Sequence, residues 1–440
     1  MSAVRARVAG WALVGLAVAN AAVVVGLWAV GGLADVHDLA SGLAGAGRLC
    51  GLLGAYTALL QLLLLARLPF VERLAGLPRL MVWHRVNGQA CLGLLLAHVV
   101  LITAGYTIGD AIGLWAELER LITGYPGVIT AVAGLVALIA VVVSSLGAVR
   151  RRLRYETWWF THLYAYLGIA LAFSHQLATG TDFIGRPAAR VYWIALYVVT
   201  GATVLVFRAL VPLARSLWLD LRVVRIVEEG PAVTSIEVGG RHLHRLKARS
   251  GQFFTWRFLL RDRWWEAHPF SLSAAPDGRR LRITVKGLGD FTERARAIPP
   301  GTRVIAEGPF GAFTAAGRRR PRVALIAGGV GITPIRALLE DMPGEPGDIA
   351  VIYRASHDDD VILRAELDEL AARRGAELHY VVGEGGARLL SAEHLQALVP
   401  DIAARDVYVC GPPAMTNATR ASLESSGVSG RHIYTEQFAF

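Results

Sequence analysis

The chain has 440 residues, 54% of them hydrophobic, and a mean hydropathy of +0.44. It is too long for one ordinary core and too apolar for a wholly soluble enzyme. Its three cysteines exclude a disulfide framework and a four-cysteine iron–sulfur site. The formal net charge of +10 could indicate a nucleic-acid partner, so the distribution of the basic residues has to be examined.

Six uncharged stretches in the first half are each close to the roughly 20 residues that cross a bilayer as a helix. They run from 8 to 34, 49 to 66, 86 to 109, 121 to 149, 157 to 181 and 191 to 207. The first is too long for the apolar segment of a secretory signal, which has about 7 to 15 residues, so we predict a retained helix. We predict a six-helix transmembrane domain over 1–213 and a soluble region after it.

The charges follow this predicted membrane topology. The arginines that six alternating helices place on one side are Arg5, Arg7, Arg67, Arg73, Arg79, Arg85, Arg150, Arg151, Arg152, Arg154, Arg208 and Arg215. The opposite loops carry Asp35, Asp38, Asp110, Glu117, Glu119 and Asp182. The positive-inside rule predicts a multi-pass plasma-membrane protein with a cytoplasmic N-terminus and a cytoplasmic soluble region. Basic residues beside a bilayer serve as topology signals and lipid contacts, so no nucleic-acid partner is expected.

Four histidines lie within or at the edge of two predicted helices, His84 and His98 on the third and His162 and His175 on the fifth. Their spacings of 14 and 13 residues correspond to about 21 and 20 Å along a helix. Because both helices run in the same direction, we expect the pairs His84 with His162 and His98 with His175. Bis-imidazole ligation of two haems fits this pattern, and interhelical hydrogen bonding is the alternative. The spacing of 13 brings the two imidazoles onto different faces, which predicts a kink or irregularity near Gly168.

The segment from about residue 214 to 317 has short alternating strands that predict a small antiparallel β-barrel. Its strands include 221–227, 233–238 and 281–286. One of its segments combines hydroxyl groups and prolines in a way that can hold an aromatic ring system, and the residues concerned are His268, Pro269, Phe270, Ser271 and Ser273. The turn from Gly289 to Thr292 can offer backbone N–H groups to a pyrophosphate. The alternative is a strand of the core between two turns.

Strands and helices alternate over 318–440, which predicts a parallel α/β sheet. The expected strands are 323–327, 349–353, 378–382, 407–410 and 432–437. The first turn contains Gly328, Gly329 and Gly331 for close approach of a phosphate, followed by Thr333 as the expected cap and Pro334 as the first helical residue. Cys410, Gly411 and Pro412 end the fourth strand, where open α/β sheets bind ligands.

The end of the second strand bears on the choice of nucleotide. Arg354 and Ser356 can hold the 2′-phosphate of NADPH, whereas a solvated surface arginine is the alternative. Asp358, Asp359 and Asp360 follow, and we expect them to face solvent at the start of the next helix.

These motifs, in this order, resemble the ferric reductase and NADPH oxidase superfamily over nearly the whole chain. The paired histidines resemble its bis-haem pattern, and Arg152-Leu153-Arg154-Tyr155-Glu156 its cytoplasmic loop. The segment from His268 to Ser271 resembles its flavin motif, Gly328 to Pro334 its nicotinamide-cofactor loop, and Cys410 to Pro412 its nicotinamide-side motif. The resemblance also implies a terminal aromatic that shields the flavin, either Phe438 or Phe440, beside Glu436 and Cys410.

The resemblance implies electron transfer from NADPH or NADH to FAD, then through two b-type haems to an outer acceptor. Protein groups would chiefly position these cofactors. Molecular oxygen, as in a superoxide-forming oxidase, and ferric chelates, as in a ferric reductase, are both possible acceptors. The alternative is a membrane electron-donor module that serves a partner protein or a quinone.

Overall fold

The computed structural model describes residues 3–75, 77–153, 155–179, 182–230, 232–287, 289–384 and 389–437. The chain forms two compact units, Met1–Leu210 and Val211–Phe440. The described part of the first unit is helical. Its helices are Ala3–Gly32 (α1), Leu39–Leu64 (α2), Pro69–Ala75 (α3), Leu77–Asp110 (α4), Leu114–Gly124 (α5), Val128–Ser145 (α6), Gly147–Arg150 (α7), Tyr155–Thr179 (α8) and Pro187–Leu205 (α9).

Five segments of the described chain are long and apolar enough to cross a membrane. They are Gly10–Gly32, Leu39–Leu64, Arg79–Asp110, Val128–Ser145 and Pro187–Leu219. Five of the six stretches expected from the sequence thus have a counterpart. The remaining stretch forms α8, a helix of 25 residues that is not among these five segments.

Small residues let the helices of the first unit approach closely. Helix α2 packs along α4, where a Cβ atom at Gly54 would come within 2.8 Å of Leu95. Helix α6 packs along α8, where a Cβ atom at Gly168 would lie 2.8 Å from the carbonyl oxygen of Gly134. Helix α8 is α-helical from Tyr155 to Thr179 and does not change helix type at Gly168. Gly168 serves the close helix contact.

The second unit begins with helix α10, Val211–Leu219, and contains two antiparallel sheets and one parallel sheet. The antiparallel strands are Arg222–Gly230 (β1), Val233–Gly239 (β2), Phe253–Phe258 (β3), His268–Ser271 (β4), Arg280–Lys286 (β5) and Val304–Phe310 (β6). Helix α11, Asp290–Arg294, lies between β5 and β6 along the chain. One sheet has the order β1-β2-β5 and the other β4-β3-β6. Isolated bridges join them at Arg222 with Arg303 and at Leu272 with Ile283.

The alternation of side chains in β3 explains how the two antiparallel sheets share a core. Phe254, Trp256 and Phe258 occupy every second position and are almost fully buried. Strand side chains at alternate positions point to the same face, so these three rings face one apolar interior. Ile236 and Ile283 of the other sheet belong to the same cluster.

The rest of the chain forms the predicted parallel sheet, with strand order β11-β10-β7-β8-β9. Its strands are Val323–Gly328 (β7), Ile349–Ala355 (β8), Glu377–Val382 (β9), Asp406–Gly411 (β10) and Ile433–Gln437 (β11). Its helices are Ile332–Asp341 (α12), Arg364–Arg374 (α13), Ala392–Leu398 (α14) and Pro413–Ser425 (α15). Strands β7, β8 and β10 are buried throughout, as expected for a sheet covered on both faces.

Candidate functional site

The four histidines of the helical unit meet as two pairs across helices α4 and α8. The ring centroids of His84 and His162 are 6.1 Å apart, and those of His98 and His175 are 6.4 Å apart. The rings of each pair are inclined by 46° and 41°. The structure therefore brings together the residues that the helix spacing pairs.

These separations fit two imidazoles that bind one metal ion from opposite sides. With a metal–nitrogen distance of about 2.0–2.1 Å on each side, the ring centroids would be about 6.3 Å apart. The described residues contain no group of three or more His, Cys, Asp or Glu side chains that could hold a metal ion. Two imidazoles at this separation could serve as the two axial ligands of an iron in a porphyrin.

Neighbouring groups fix the orientation of two of these rings. The Nδ1 atom of His98 lies 2.8 Å from the carbonyl oxygen of Gly47, which favours the Nδ1–H tautomer and leaves Nε2 free as a ligand. A Cβ atom at Gly51 would lie 2.7 Å from the same Nδ1 atom. Trp158 lies beside His162, with ring centroids 5.1 Å apart. The sequence analysis missed Gly51, because it acts from another helix.

In the antiparallel part, Ser271 and Ser273 differ in their surroundings. The Ser271 hydroxyl is buried and has no hydrogen-bond partner among the described residues. The Ser273 hydroxyl accepts hydrogen bonds from Thr284, at 2.8 Å, and from the guanidinium of Arg282, at 3.2 Å. Ser271 is therefore the hydroxyl available to a ligand, and Ser273 is held in a network of its own.

Aromatic rings surround the strand that carries Ser271. The His268 ring stacks on Phe291 at a centroid distance of 4.0 Å, and both rings lie about parallel to Phe270. Pro269 lies between His268 and Phe270 on β4, which pairs with β3. The short helix α11 starts after Gly289, and the Thr292 hydroxyl bonds to the backbone N–H of Gly289 at 3.1 Å.

A cavity of about 450 Å³ lies at the carboxyl ends of the parallel strands. It is lined by Lys286, Gly328, Gly329, Arg354, Ala355, Ser356, Asp360, Leu390, Pro412, Ala414, Met415, Ala418 and Thr419. The cavity thus combines the glycine turn after β7, the end of β8 and the segment after β10. Open α/β sheets bind ligands at this edge.

The glycine turn is shaped by close backbone contacts. A Cβ atom at Gly331 would come within 2.2 Å of the Cys410 carbonyl oxygen, so no larger residue fits there. Helix α12 starts at Ile332 with Gly331 as its N-cap, and no side chain caps it. The expected cap at Thr333 and the helix start at Pro334 are therefore wrong. Thr333 lies within the first turn, and its hydroxyl donates to the Val330 carbonyl at 3.0 Å.

Arg354 is buried, with 9% of its surface exposed, so it is not a solvated surface arginine. Its guanidinium donates to the carbonyl oxygens of Ala355 and Gly383 while it lines the cavity with Ser356. Asp360 also lines the cavity, contrary to the expectation that it faces solvent. It bonds to Lys286 at 2.6 Å, and hydrogen bonds from Lys286 and His357 lower the pKa of its carboxyl group.

The other two aspartates of this run are exposed, as expected, but they do not start a helix. Asp358–Asp360 forms a 3₁₀ turn, and α13 begins at Arg364. Leu363, with φ of 58°, separates the turn from the helix.

Cys410 and Glu436 are neighbours on β10 and β11. Burial raises the pKa of Glu436 to about 7, so both of its protonation states are populated near neutral pH. Burial, with the nearby Glu436 charge, raises the pKa of the Cys410 thiol well above its usual value. Gly411 packs against Gly328, and Phe438 and Phe440 lie outside the described residues.

Three protein-family models match the chain in the order of these sites. They are a ferric reductase like transmembrane component over 50–173, an FAD-binding domain over 232–314 and an oxidoreductase NAD-binding domain over 325–421. The chain has the domain architecture of the ferric reductase and NADPH oxidase superfamily. The first match contains His84, His98 and His162. Membership of this superfamily explains why a multi-pass membrane domain is joined to FAD-binding and NAD-binding domains.

Curated relatives match part of the chain. The ferredoxin reductase component of 3-ketosteroid-9-alpha-monooxygenase from Mycolicibacterium smegmatis is 30% identical over 236 residues, which are 50% of this chain and 65% of that protein. NADH-cytochrome b5 reductase 1 from Laccaria bicolor is 29% identical over 170 residues, which are 36% of this chain and 55% of that protein. The chain thus spans less than two thirds of the length of these relatives.

One solved structure also resembles part of the chain. The flavohem-like FAD/NAD binding domain of nitric oxide dioxygenase from Vibrio cholerae is 25% identical, with a TM-score of 0.42. The match covers 50% of this chain and 98% of that domain.

Proposed function

We propose that the protein is an NAD(P)H-dependent transmembrane oxidoreductase that passes electrons through FAD and two b-type haems to an acceptor on the outer side of the membrane. The observation that carries this proposal is the pair of imidazole sites, with centroid separations of 6.1 and 6.4 Å, on a chain that also has FAD-binding and NAD-binding domains. A flavin converts the two-electron hydride of the nucleotide into single electrons, which haem iron accepts one at a time.

In this proposal α8 is the sixth membrane crossing, because its 25 residues extend over about 37 Å and it carries one ligand of each pair. We also propose that the six antiparallel strands form a closed barrel, which the isolated bridges between the two sheets support. The proposed domains are 1–213, 214–317 and 318–440. The N-terminus and the soluble unit lie in the cytoplasm of a plasma-membrane protein, on the basis of the arginine distribution.

The residues of the chain bind and position the cofactors. His84 with His162 would hold the cytoplasmic-side haem, and His98 with His175 the outer-side haem. The Gly47 carbonyl accepts a hydrogen bond from the His98 Nδ1 atom, which would leave the Nε2 atom available to hold the haem iron. His84 and His98 are 14 residues apart, and His162 and His175 are 13 residues apart. The two proposed haem sites are therefore separated by about 20 Å along the helices.

On the soluble side, the Ser271 hydroxyl, with His268, Pro269, Phe270 and the backbone at Gly289 and Thr292, would bind FAD. The nucleotide would occupy the cavity lined by Gly328, Arg354 and Pro412. The other residues that we propose to be close to the nucleotide are Gly329, Gly331, Thr333, Pro334, Ser356 and Gly411. We propose NADPH as the preferred nucleotide, since Arg354 and Ser356 can hold a 2′-phosphate. Cys410 and Glu436 would lie at the nicotinamide, with Phe438 or Phe440 over the flavin.

Replacement of His98 or His175 with Ala tests the proposal. The purified wild-type protein should contain two low-spin haems, and each variant should lose one of them. The remaining haem should still be reduced by NAD(P)H, because it lies on the cytoplasmic side. Absorption spectra with haem quantification measure both outcomes, and two haems per chain in both variants would contradict the assignment.

The acceptor is identified by parallel assays of the same preparation. With NADPH as donor, superoxide formation indicates O₂ as the acceptor, and ferrous-chelate formation under anaerobic conditions indicates a ferric chelate. A protein that reduces its haems but forms neither product would favour a partner protein or a quinone.

A further inference from the structure

Large apolar side chains are exposed in the loop between β3 and β4. Trp264 is 59% exposed, Trp265 is 38% exposed, and Leu259 at the start of the loop is 39% exposed. The two indole rings form an edge-to-face pair with centroids 6.0 Å apart. Two neighbouring tryptophans on the surface of a soluble unit indicate an interaction site, because single exposed apolar residues are common but contiguous ones are not.

Backbone hydrogen bonds place the start of this loop at the end of the unit where α10 ends. The Leu259 N–H donates to the Arg303 carbonyl at 2.9 Å, and the N–H of Val304, the first residue of β6, donates to the Leu221 carbonyl at 2.9 Å. Arg241 donates to the carbonyl of Leu219, the last residue of α10, at 2.8 Å. The loop, the start of β6 and the end of α10 thus share one end of the antiparallel part.

Helix α10 is the last part of the candidate membrane span Pro187–Leu219. That span has 33 residues, or about 50 Å of helix, whereas the hydrocarbon core is about 30 Å thick, so the helix is long enough for its last turns to lie in the headgroup layer. Leu217 and Trp218 in these turns are 63% and 48% exposed. The Trp218 ring stacks on His242, with centroids 4.9 Å apart, and the Arg245 guanidinium lies over it.

The charged residues at this end are mostly basic. We define the end face as Trp218, Asp220, Arg222, Arg241, Arg245, residues 259–266 and Arg303. Among these described residues, the arginines are Arg222, Arg241, Arg245, Arg261, Arg263 and Arg303, and the acids are Asp220, Asp262 and Glu266. The end face therefore carries six positive and three negative side chains, a formal excess of three positive charges.

We propose that the end face binds the anionic headgroup layer of the membrane that the helices cross, with Trp264 and Trp265 inserted at the interface. Tryptophan is favoured at this depth because its ring is apolar and its N–H can remain hydrated. Arginine next to it can bond to lipid phosphate. The candidate membrane span ends at Leu219, one residue before Asp220, so the end face is tethered to the membrane. Docking to the headgroup layer therefore costs little additional translational and rotational entropy.

The test uses the full-length protein in nanodiscs of phosphatidylcholine, with or without about 30% of an anionic phosphatidylglycerol. Hydrogen exchange of the 259–267 amides should be slower in anionic nanodiscs than in neutral ones. Each arginine near an anionic surface contributes about 1 kcal/mol. In the Arg261→Gln/Arg263→Gln variant, the difference in exchange rate between the two kinds of nanodisc should therefore shrink about fivefold for each arginine removed. The Val382→Ala variant, altered at an exposed position on β9, is the matched control and should behave as the wild type does.

A second measurement does not depend on the charges or on enzymatic activity. Lipids brominated near the headgroup should quench the tryptophan fluorescence of the wild type more than that of the Trp264→Phe/Trp265→Phe variant, in which the rings are kept apolar so that folding is preserved. Equal quenching of both proteins would overturn the proposal. Protection of 259–267 that is the same in detergent as in nanodiscs would also overturn it and would indicate that protein, rather than lipid, covers the tryptophans.

Discussion

At the scale of single residues, Arg354 is the side chain on which nucleotide choice depends in the proposed mechanism. Its burial beside the cavity means that its charge is little screened by solvent. Arg354→Ala should raise the KM for NADPH about tenfold or more, and that for NADH much less, because a charge-assisted hydrogen bond contributes about 1.5–3 kcal/mol. Steady-state kinetics with both nucleotides measure this. Arg373→Ala, at an exposed site on α13, should leave both values unchanged, and an equal rise in both KM values for Arg354→Ala would contradict the role.

Ser271 and Ser273 allow a second comparison, since they lie two residues apart and differ in hydrogen bonding. Ser271→Ala should weaken FAD binding without destabilising the flavin-free protein, because its buried hydroxyl has no partner among the described residues. Ser273→Ala should instead destabilise the unit by about 1–3 kcal/mol, because its buried hydroxyl accepts hydrogen bonds from Thr284 and Arg282, and Thr284 would keep only Ser235 as a hydroxyl partner. FAD titration and thermal unfolding separate the two effects. Normal FAD affinity and normal hydride transfer in Ser271→Ala would exclude the proposed contact.

The sequence alone predicted the functional residues whose polarity differs from that of the segment around them. Four histidines in apolar helices are costly and therefore conspicuous, and their spacing was enough to pair them. Asp360 was misplaced because its partner, Lys286, comes from another strand 74 residues away. Thr333 was misjudged because a hydroxyl before a proline favours a cap, whereas the contact of Gly331 with Cys410 sets where the helix starts.

At the scale of helices and strands, the sequence predicted where an element lies when its apolar residues recur regularly. It did not predict the residues at which the elements begin and end. Helix α2 begins at Leu39, ten residues before the expected stretch, although Arg48 interrupts the apolar run. Asp38 caps the helix by accepting a hydrogen bond from the Ser41 N–H at 2.8 Å, and this local interaction outweighs the charge as a boundary signal. The bounds of the parallel strands were found more closely, since β7, β8 and β10 are mostly apolar runs.

Contacts between helices lead to a third prediction, which concerns Gly51 on α2. Gly51→Ala would place a methyl group 2.7 Å from the His98 ring, so the ring has to shift and its geometry relative to His175 changes. We expect this variant to lose most of the haem bound by the His98 and His175 pair and to keep the other haem. Gly93→Ala on α4 is the control, because nothing lies within 4 Å of its Cβ position. Haem content per chain is the measurement, and full content in Gly51→Ala would show that His98 has room to adjust.

At the scale of the whole soluble unit, ion pairs link the antiparallel part to the parallel sheet. Glu366 at the start of α13 bonds to Arg282 on β5 at 3.0 Å and to Arg336 on α12. Glu340, also on α12, accepts from the backbone N–H of Ala275 at 2.7 Å. Arg282 also contacts Ser273, so these charges connect the segment after β4 to α12, the first helix after β7. No local sequence pattern predicts such a network, because its members come from distant parts of the chain.

The fourth prediction tests this link with two glutamates of the same helix. Glu366→Gln should destabilise the unit by about 2–3 kcal/mol, less than the roughly 3–5 kcal/mol of a fully buried pair, because Glu366 is partly exposed and Arg336 keeps Glu340 as a partner. Glu369→Gln removes only the exposed pair with Arg373 and should cost about 0–1 kcal/mol. The temperature at which the full-length protein releases FAD measures both, and it should fall by about 5–10 °C for Glu366→Gln only. If the two variants release FAD at the same temperature, the network does not hold the flavin and nucleotide parts together.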